Sequence, residues 1–213
     1  MGKTKSLIIL ATLVFGVKYS GAKEIYPSFA KSRGDFYVMI DEPVVKKGLL
    51  RATLTFATGY MPANKLNNLY LTGNVEYYTD KKISLRGDGN YFFNSMNGDK
   101  TLKQNHSFYG GAAYHFAKGN FDPFVGLQTG LALTQCGIVQ QGGPERAVAY
   151  NPLISPIAGF NYYASRWFHL FINARYNIGK HLADDAIIPL NELSFSFGLG
   201  FNINTSKRTI NKQ

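Results

Sequence analysis

The sequence predicts an all-β fold, an eight-stranded antiparallel up-and-down β-barrel that crosses a membrane. Three observations predict it: period-two strands with unlike faces, connections that alternate between short and long, and the absence of Lys from strand interiors. The last strand-like run shows the first most clearly. Leu193, Phe195, Phe197, Leu199, Phe201 and Ile203 hold one parity, while Ser194, Ser196, Gly198, Gly200 and Asn202 hold the other. A period of two marks a strand with two distinct faces. A water-facing side would carry Lys, Glu and Thr; small neutral residues suit a crowded barrel interior with lipid on the opposite face.

Taken from the N-terminus, the chain first offers an export signal. Lys3 and Lys5 form a basic start, Leu7 to Val17 an apolar core, and Ser20-Gly21-Ala22 small residues for cleavage before Lys23. Residues 1–22 are therefore read as a signal peptide, with an N-terminal helix of the mature fold as the alternative. Residues 23–48 read as a periplasmic N-terminal segment, too short for a domain, with Pro27, Pro43 and Lys46-Lys47 typical of a linker. The barrel occupies 49–203, and 204–213 is a polar tail. The single Cys136 allows no internal disulfide. No apolar run reaches the ~18–20 residues of a spanning helix, whereas barrel strands need only about 10.

Eight strands are expected at 49–60, 69–79, 83–94, 105–117, 121–136, 153–164, 167–179 and 192–203, each bounded by turn chemistry. Leu50, Ala52, Leu54 and Phe56 alternate with Arg51, Thr53, Thr55 and Ala57 in the first; Leu69, Leu71, Val75 and Tyr77 alternate with Tyr70, Thr72, Asn74 and Glu76 in the second. Strand four is the weakest, with Gly110-Gly111-Ala112-Ala113 at its centre. Strand five opposes Val125, Leu127, Leu131 and Leu133 to Gly126, Gln128 and Gly130, and strand seven opposes Phe168, Leu170, Ile172 and Tyr176 to His169, Asn173 and Arg175. Short turns at Asp80-Lys81-Lys82, Lys118-Gly119-Asn120 and Ser165-Arg166 alternate with long connections at 61–68, 95–104, 137–152 and 180–191. An even strand count with short turns on one rim and long loops on the other is the arrangement of bacterial outer-membrane barrels, and places both termini on the periplasmic side.

All sixteen Lys are expected outside the strands. A lipid-facing wall penalises Lys by about 2–4 kcal/mol near the midplane. The charges expected within strands, Arg51, Glu76, Arg86, Asp88 and Arg175, all fall on the inward parity. Aromatics concentrate at strand ends. Tyr77, Tyr78, Tyr114, Phe116, Tyr162, Tyr163, Trp167 and Phe168 flank the short turns, as an interfacial girdle requires. Tyr60, Phe92, Phe93 and Phe108 are expected at the opposite rim.

These features resemble the small eight-stranded outer-membrane barrel family, which includes the transmembrane domain of outer-membrane protein A and the outer-membrane protein X type. The resemblance covers about 49–203 and rests on topology and alternation. Glu76-Tyr77-Tyr78, Ser84-Leu85-Arg86-Gly87-Asp88-Gly89 and Phe195-Ser196-Phe197-Gly198-Leu199-Gly200-Phe201 are similar to barrel-domain proteins of Bacteroidetes-type bacteria. It implies residence in the outer membrane of a Gram-negative bacterium, contact with its lipids, and insertion by the barrel assembly machinery. Family barrels often end on an aromatic; here Phe201 is followed by the polar tail.

Eight strands enclose an interior that side chains just fill. Arg51, Glu76, Arg86, Asp88 and Arg175 must therefore pair, since isolated buried charges are costly. The expected result is a lumenal ion-pair network, with Gln128, Asn161 and His169 or His115 completing hydrogen bonds. It acts either as a plug that holds barrel shape, the preferred reading, or as a gated ion path. Catalysis is not expected. His106 and Ser107 are neighbours and face opposite ways, and His115, His169 and His181 have no Ser at i±2. No metal or cofactor site is expected, and Asp184-Asp185 reads as solvated charge. The Arg-Gly-Asp triplets at 33–35 and 86–88 read as coincidence. The net charge of +10 is spread over signal, tail, turns and loops, without the basic stripe that nucleic acid requires. The function expected is a non-enzymatic outer-membrane barrel with a structural or surface-interaction role, any extracellular ligand being met by the long loops. The rivals are a secreted lipocalin-like barrel with an apolar ligand inside, and a lipid-modifying outer-membrane enzyme.

Overall fold

A computed structural model describes residues 44–96, 102–137, 148–182 and 188–205. The expected signal peptide at 1–22, most of segment 23–48, most of the polar tail, the first Arg-Gly-Asp, Asp184-Asp185 and most of loop 137–152 lie outside the described residues.

The strands are β1 (Leu49–Met61), β2 (Leu66–Tyr78), β3 (Ile83–Ser95), β4 (Leu102–His115), β5 (Phe121–Cys136), β6 (Ala149–Tyr162), β7 (Phe168–His181), the two-residue β8 (Ile188–Pro189) and β9 (Glu192–Asn204). Each long strand pairs antiparallel with its neighbour in the chain. β9 lies between β7 and β1 and closes the ring, so eight strands form one barrel, with β8 a short ribbon against the end of β7. This is the predicted class.

Local chemistry accounts for the turns. The backbone amides of Thr79 and Asp80 both donate to the Ile83 carbonyl. Gly119 has φ of 60°, the left-handed conformation that glycine takes without strain. The Ser165 hydroxyl accepts the amides of Trp167 and Phe168 at 3.2 and 3.1 Å. The closing strand packs as its small parity demands. A Cβ on Gly200 would lie 2.5 Å from Nε2 of His169, so only a bare α-carbon leaves that ring its place.

Polarity is inverted relative to a soluble protein. Phe197 is 74% exposed, Leu54 69% and Phe108 62%, while Arg51 is 2% and Glu76 0%.

Three expectations are corrected. The first long connection shrinks to 62–65, because Met61↔Leu66 and Tyr60↔Asn67 continue the ladder and Lys65 turns the chain at φ 53°. Loop length therefore does not alternate strictly. Lys103 and Lys180 fall inside β4 and β7, both exposed and one residue from a strand end on the loop rim. A long side chain there can extend its ammonium beyond an apolar wall. Strand ends also move: β2, β4 and β6 begin three to four residues earlier than expected, at Leu66, Leu102 and Ala149.

Candidate functional site

The candidate site is the barrel interior toward the turn rim. Register builds it: Asn202, Arg51, Glu76, Arg86, Gly111 and Gln128 are successive cross-strand partners around the wall. Directly paired residues share a face, so one row carries Arg51, Glu76 and Arg86 inward together.

Arg51 pairs with Glu76 through Nη2 and Oε2, and its Nη1 donates to the Tyr163 hydroxyl at 2.9 Å. Arg86 Nη1 lies 3.6 Å from the same carboxylate, and its Nη2 reaches Asp88 at 2.9 Å. Arg175 Nη2 meets Asp88 at 2.9 Å and donates to Gln128 Oε1 at 2.8 Å, while Gln128 Nε2 donates to Asp88 at 2.6 Å. The guanidinium of Arg175 lies 4.1 Å from the Tyr109 ring centroid. All five residues singled out by inward parity thus sit in one buried network.

Five members of the interior were missed: Asp122, Glu192, Ser84, Tyr78 and Tyr163. Asp122 and Glu192 lie in expected strands, and parity with Gln128 and Ser194 was the signal that could have found them. Asp122 accepts from Tyr78 at 2.7 Å and from Asn161 and Tyr163 at 3.2 Å, and faces His115 Nδ1 at 3.0 Å. Ser84 donates to Glu76 Oε1 at 2.5 Å and lies 2.8 Å from His115 Nε2. Tyr78 packs among these groups, with its ring 4.5 Å from that of His115. His169 stands apart, with Nδ1 2.7 Å from Asn202 Oδ1. Toward the loop rim Glu192 is met only by neutral donors, Asn68 at 2.8 Å and Tyr70 at 2.8 and 2.9 Å.

The Ser84–His115 contact corrects the argument against a Ser–His pair. A search at i±2 looks along one strand, whereas this pair forms between β3 and β4. Ser84 is nonetheless fully buried and its hydroxyl is held by Glu76. Among the described residues no group of three or more His, Cys, Asp or Glu is placed to hold a metal. A cavity of about 20 Å³, lined in part by Arg86, Asp88, Asn90, Arg175 and Ser194, has room for about one water.

Outside, Tyr77, Tyr114, Phe116, Trp167 and Phe168 are exposed at the turn rim, and half-buried Tyr162 sets its ring 5.1 Å from that of Phe121. Tyr78 and Tyr163 do not join them. Each is one residue out of phase with its neighbour and points inward, where Val44, Val45 and Leu49 cover both. Phe92 is likewise inside, and Phe108 pairs with Gly89 at mid-wall, not at the rim.

These features define a fold class, the small closed eight-stranded antiparallel barrels. Comparison with solved structures agrees on the fold. The chain is similar to the outer membrane protein OprG from Pseudomonas aeruginosa (TM-score 0.64, 12% identity, 76% of this chain and 100% of that one). It is also similar to Neisserial surface protein A (0.53, 14%, 73% and 96%). A third similar structure is Ail, the attachment invasion locus protein of Yersinia pestis, in complex with the heparin analogue sucrose octasulfate (0.52, 10%, 74% and 99%). No family model matches the chain, and no curated protein matches it.

Proposed function

We propose that this chain is an integral outer-membrane barrel with a plugged lumen, a structural role in the membrane, and surface contacts made through its loop rim. The observation that carries the reading is the inverted polarity. Phe56, Leu85, Leu127, Ile154, Ile172 and Phe197 stand exposed on the outer wall while Arg51, Glu76, Arg86, Asp88, Asp122, Arg175 and Glu192 are buried. A contiguous apolar surface of that extent suits hydrocarbon and is untenable in water. The turn rim faces the periplasm, its outward aromatics lie among lipid headgroups, and the assembly machinery inserts the barrel. The lipocalin-like rival needs a wettable exterior, which this wall lacks.

The test is membrane fractionation with heat-modifiable migration on a gel. Recovery in the outer membrane, with a folded form that migrates differently from the boiled one, is the expected result; recovery in the soluble periplasm overturns it. A lipid-modifying enzyme is a second reading favoured by one contact, the Ser84–His115–Asp122 relay. The Ser84 hydroxyl is committed to Glu76 and sealed from any substrate, so we read the relay as part of the plug. Ser84→Ala is expected to leave lipid A acylation in the host membrane unchanged, and a changed acylation pattern would establish the enzyme.

A further inference from the structure

Both ring nitrogens of His115 face a carboxylate: Nδ1 lies 3.0 Å from Asp122 Oδ1, and Nε2 lies 3.1 Å from Glu76 Oε1. A neutral imidazole has one N–H and one lone pair, so in that form one nitrogen would aim its lone pair at an anionic oxygen. Only the imidazolium donates to both. From this geometry we infer that His115 is a fixed buried cation, a clamp that holds a proton on both ring nitrogens and ties β2 to β5.

Each element packed against the ring brings its own groups. From β1, Arg51 is committed to Glu76 and stands 3.7 Å from Asp122. From β2, Tyr78 donates its hydroxyl to Asp122. From β3, Ser84 donates to Glu76 and Arg86 is bound to Asp88. From β5, Phe124 stacks on the imidazole at a centroid distance of 5.4 Å. Tyr163, just past β6, donates to Asp122, and His169 of β7 is engaged with Asn202. Among the described residues, Arg51 is the other cation within reach of both carboxylates, through its own pair with Glu76 and its 3.7 Å approach to Asp122.

The inference concerns the plug alone and stands or falls separately from the membrane reading. It is tested on the full chain, refolded in lipid nanodiscs with 15N-labelled histidine, with the His115 signals assigned by their loss in His115→Gln. At about pH 8, where an ordinary histidine is neutral, His115 should show a directly bonded proton on both ring nitrogens. A bare nitrogen on His115 at that pH overturns the inference. Glu76→Gln should reduce His115 to a single proton on Nδ1, and retention of both would overturn the two-carboxylate clamp.

Discussion

Toward the turn rim the barrel is filled by Arg51, Glu76, Ser84, Arg86, His115 and Asp122, with Tyr78 and Tyr163 laid over them. Toward the loop rim it is filled by Met61, Leu66, Phe92, Leu102, Cys136, Leu153 and Leu190, an apolar cluster that also includes Tyr70 and Tyr109, with one polar set around Glu192 made by Asn68, Ser95 and Asn105. Both halves are packed, but they are packed by different forces. The apolar half gains from burial in proportion to area and tolerates rearrangement of its side chains. The charged half has little net gain from pairing, because desolvation offsets attraction, yet suffers heavily if one partner is lost. The contrast separates two tasks within one lumen: the apolar half supplies cohesion, and the charged half fixes register, since a slip of one residue would send Glu76 or Arg86 into the wall.

The contrast can be broken from either end. Glu76→Ala should be the most damaging single change, at about 3–5 kcal/mol, because it leaves Arg51 and His115 facing no carboxylate on that side. Reversible denaturant unfolding in lipid vesicles measures it, and a loss under about 1 kcal/mol would show that the pairs are dispensable. Leu66→Ala comes next, at about 2–4 kcal/mol for a fully buried leucine whose site only partly collapses. Glu192→Gln should cost about 1 kcal/mol or less. Its partners Asn68 and Tyr70 are neutral and no guanidinium is left bare, so the change replaces one acceptor pattern with another. If Glu192→Gln proved as damaging as Glu76→Ala, the division into a charged and an apolar half would fail.

How much of this was legible depends on whether a feature lies along one strand or between strands. Parity along a strand needs only the sequence, which is why Arg51, Glu76, Arg86, Asp88 and Arg175 could be placed inside before any register was known. Parity strictly applied would also have turned Tyr78 inward with Glu76, and Asp122 inward with Gln128. Both lie near strand ends, where turn-forming neighbours mask the period of two. The contact between Ser84 and His115 is different in kind. It depends on how β3 and β4 slide past each other, in the register that pairs Ser84 with Ala113. That register is set by the whole ring and by the length of the connection at 96–101. The true strand starts at Leu66, Leu102 and Ala149 were hidden for a related reason, since ladder hydrogen bonds extended the strands past the point where composition turns polar.

The smallest expected effect tests the outer wall against both halves of the lumen. Lys103 sits inside β4, where a lysine in contact with hydrocarbon should be costly, but it is exposed and only one residue from the strand end. The penalty for a charge on a lipid-facing wall falls from about 2–4 kcal/mol at the midplane to about 0–1 near the interface. Lys103→Leu should therefore change stability by no more than about 1 kcal/mol in the same vesicle assay. The same lysine moved to mid-wall, as Phe108→Lys, should cost at least twice that. Equal effects at the two positions would mean that the hydrocarbon does not end between them, and would require the barrel to sit deeper toward its loop rim than the exposed aromatics at the turn rim indicate.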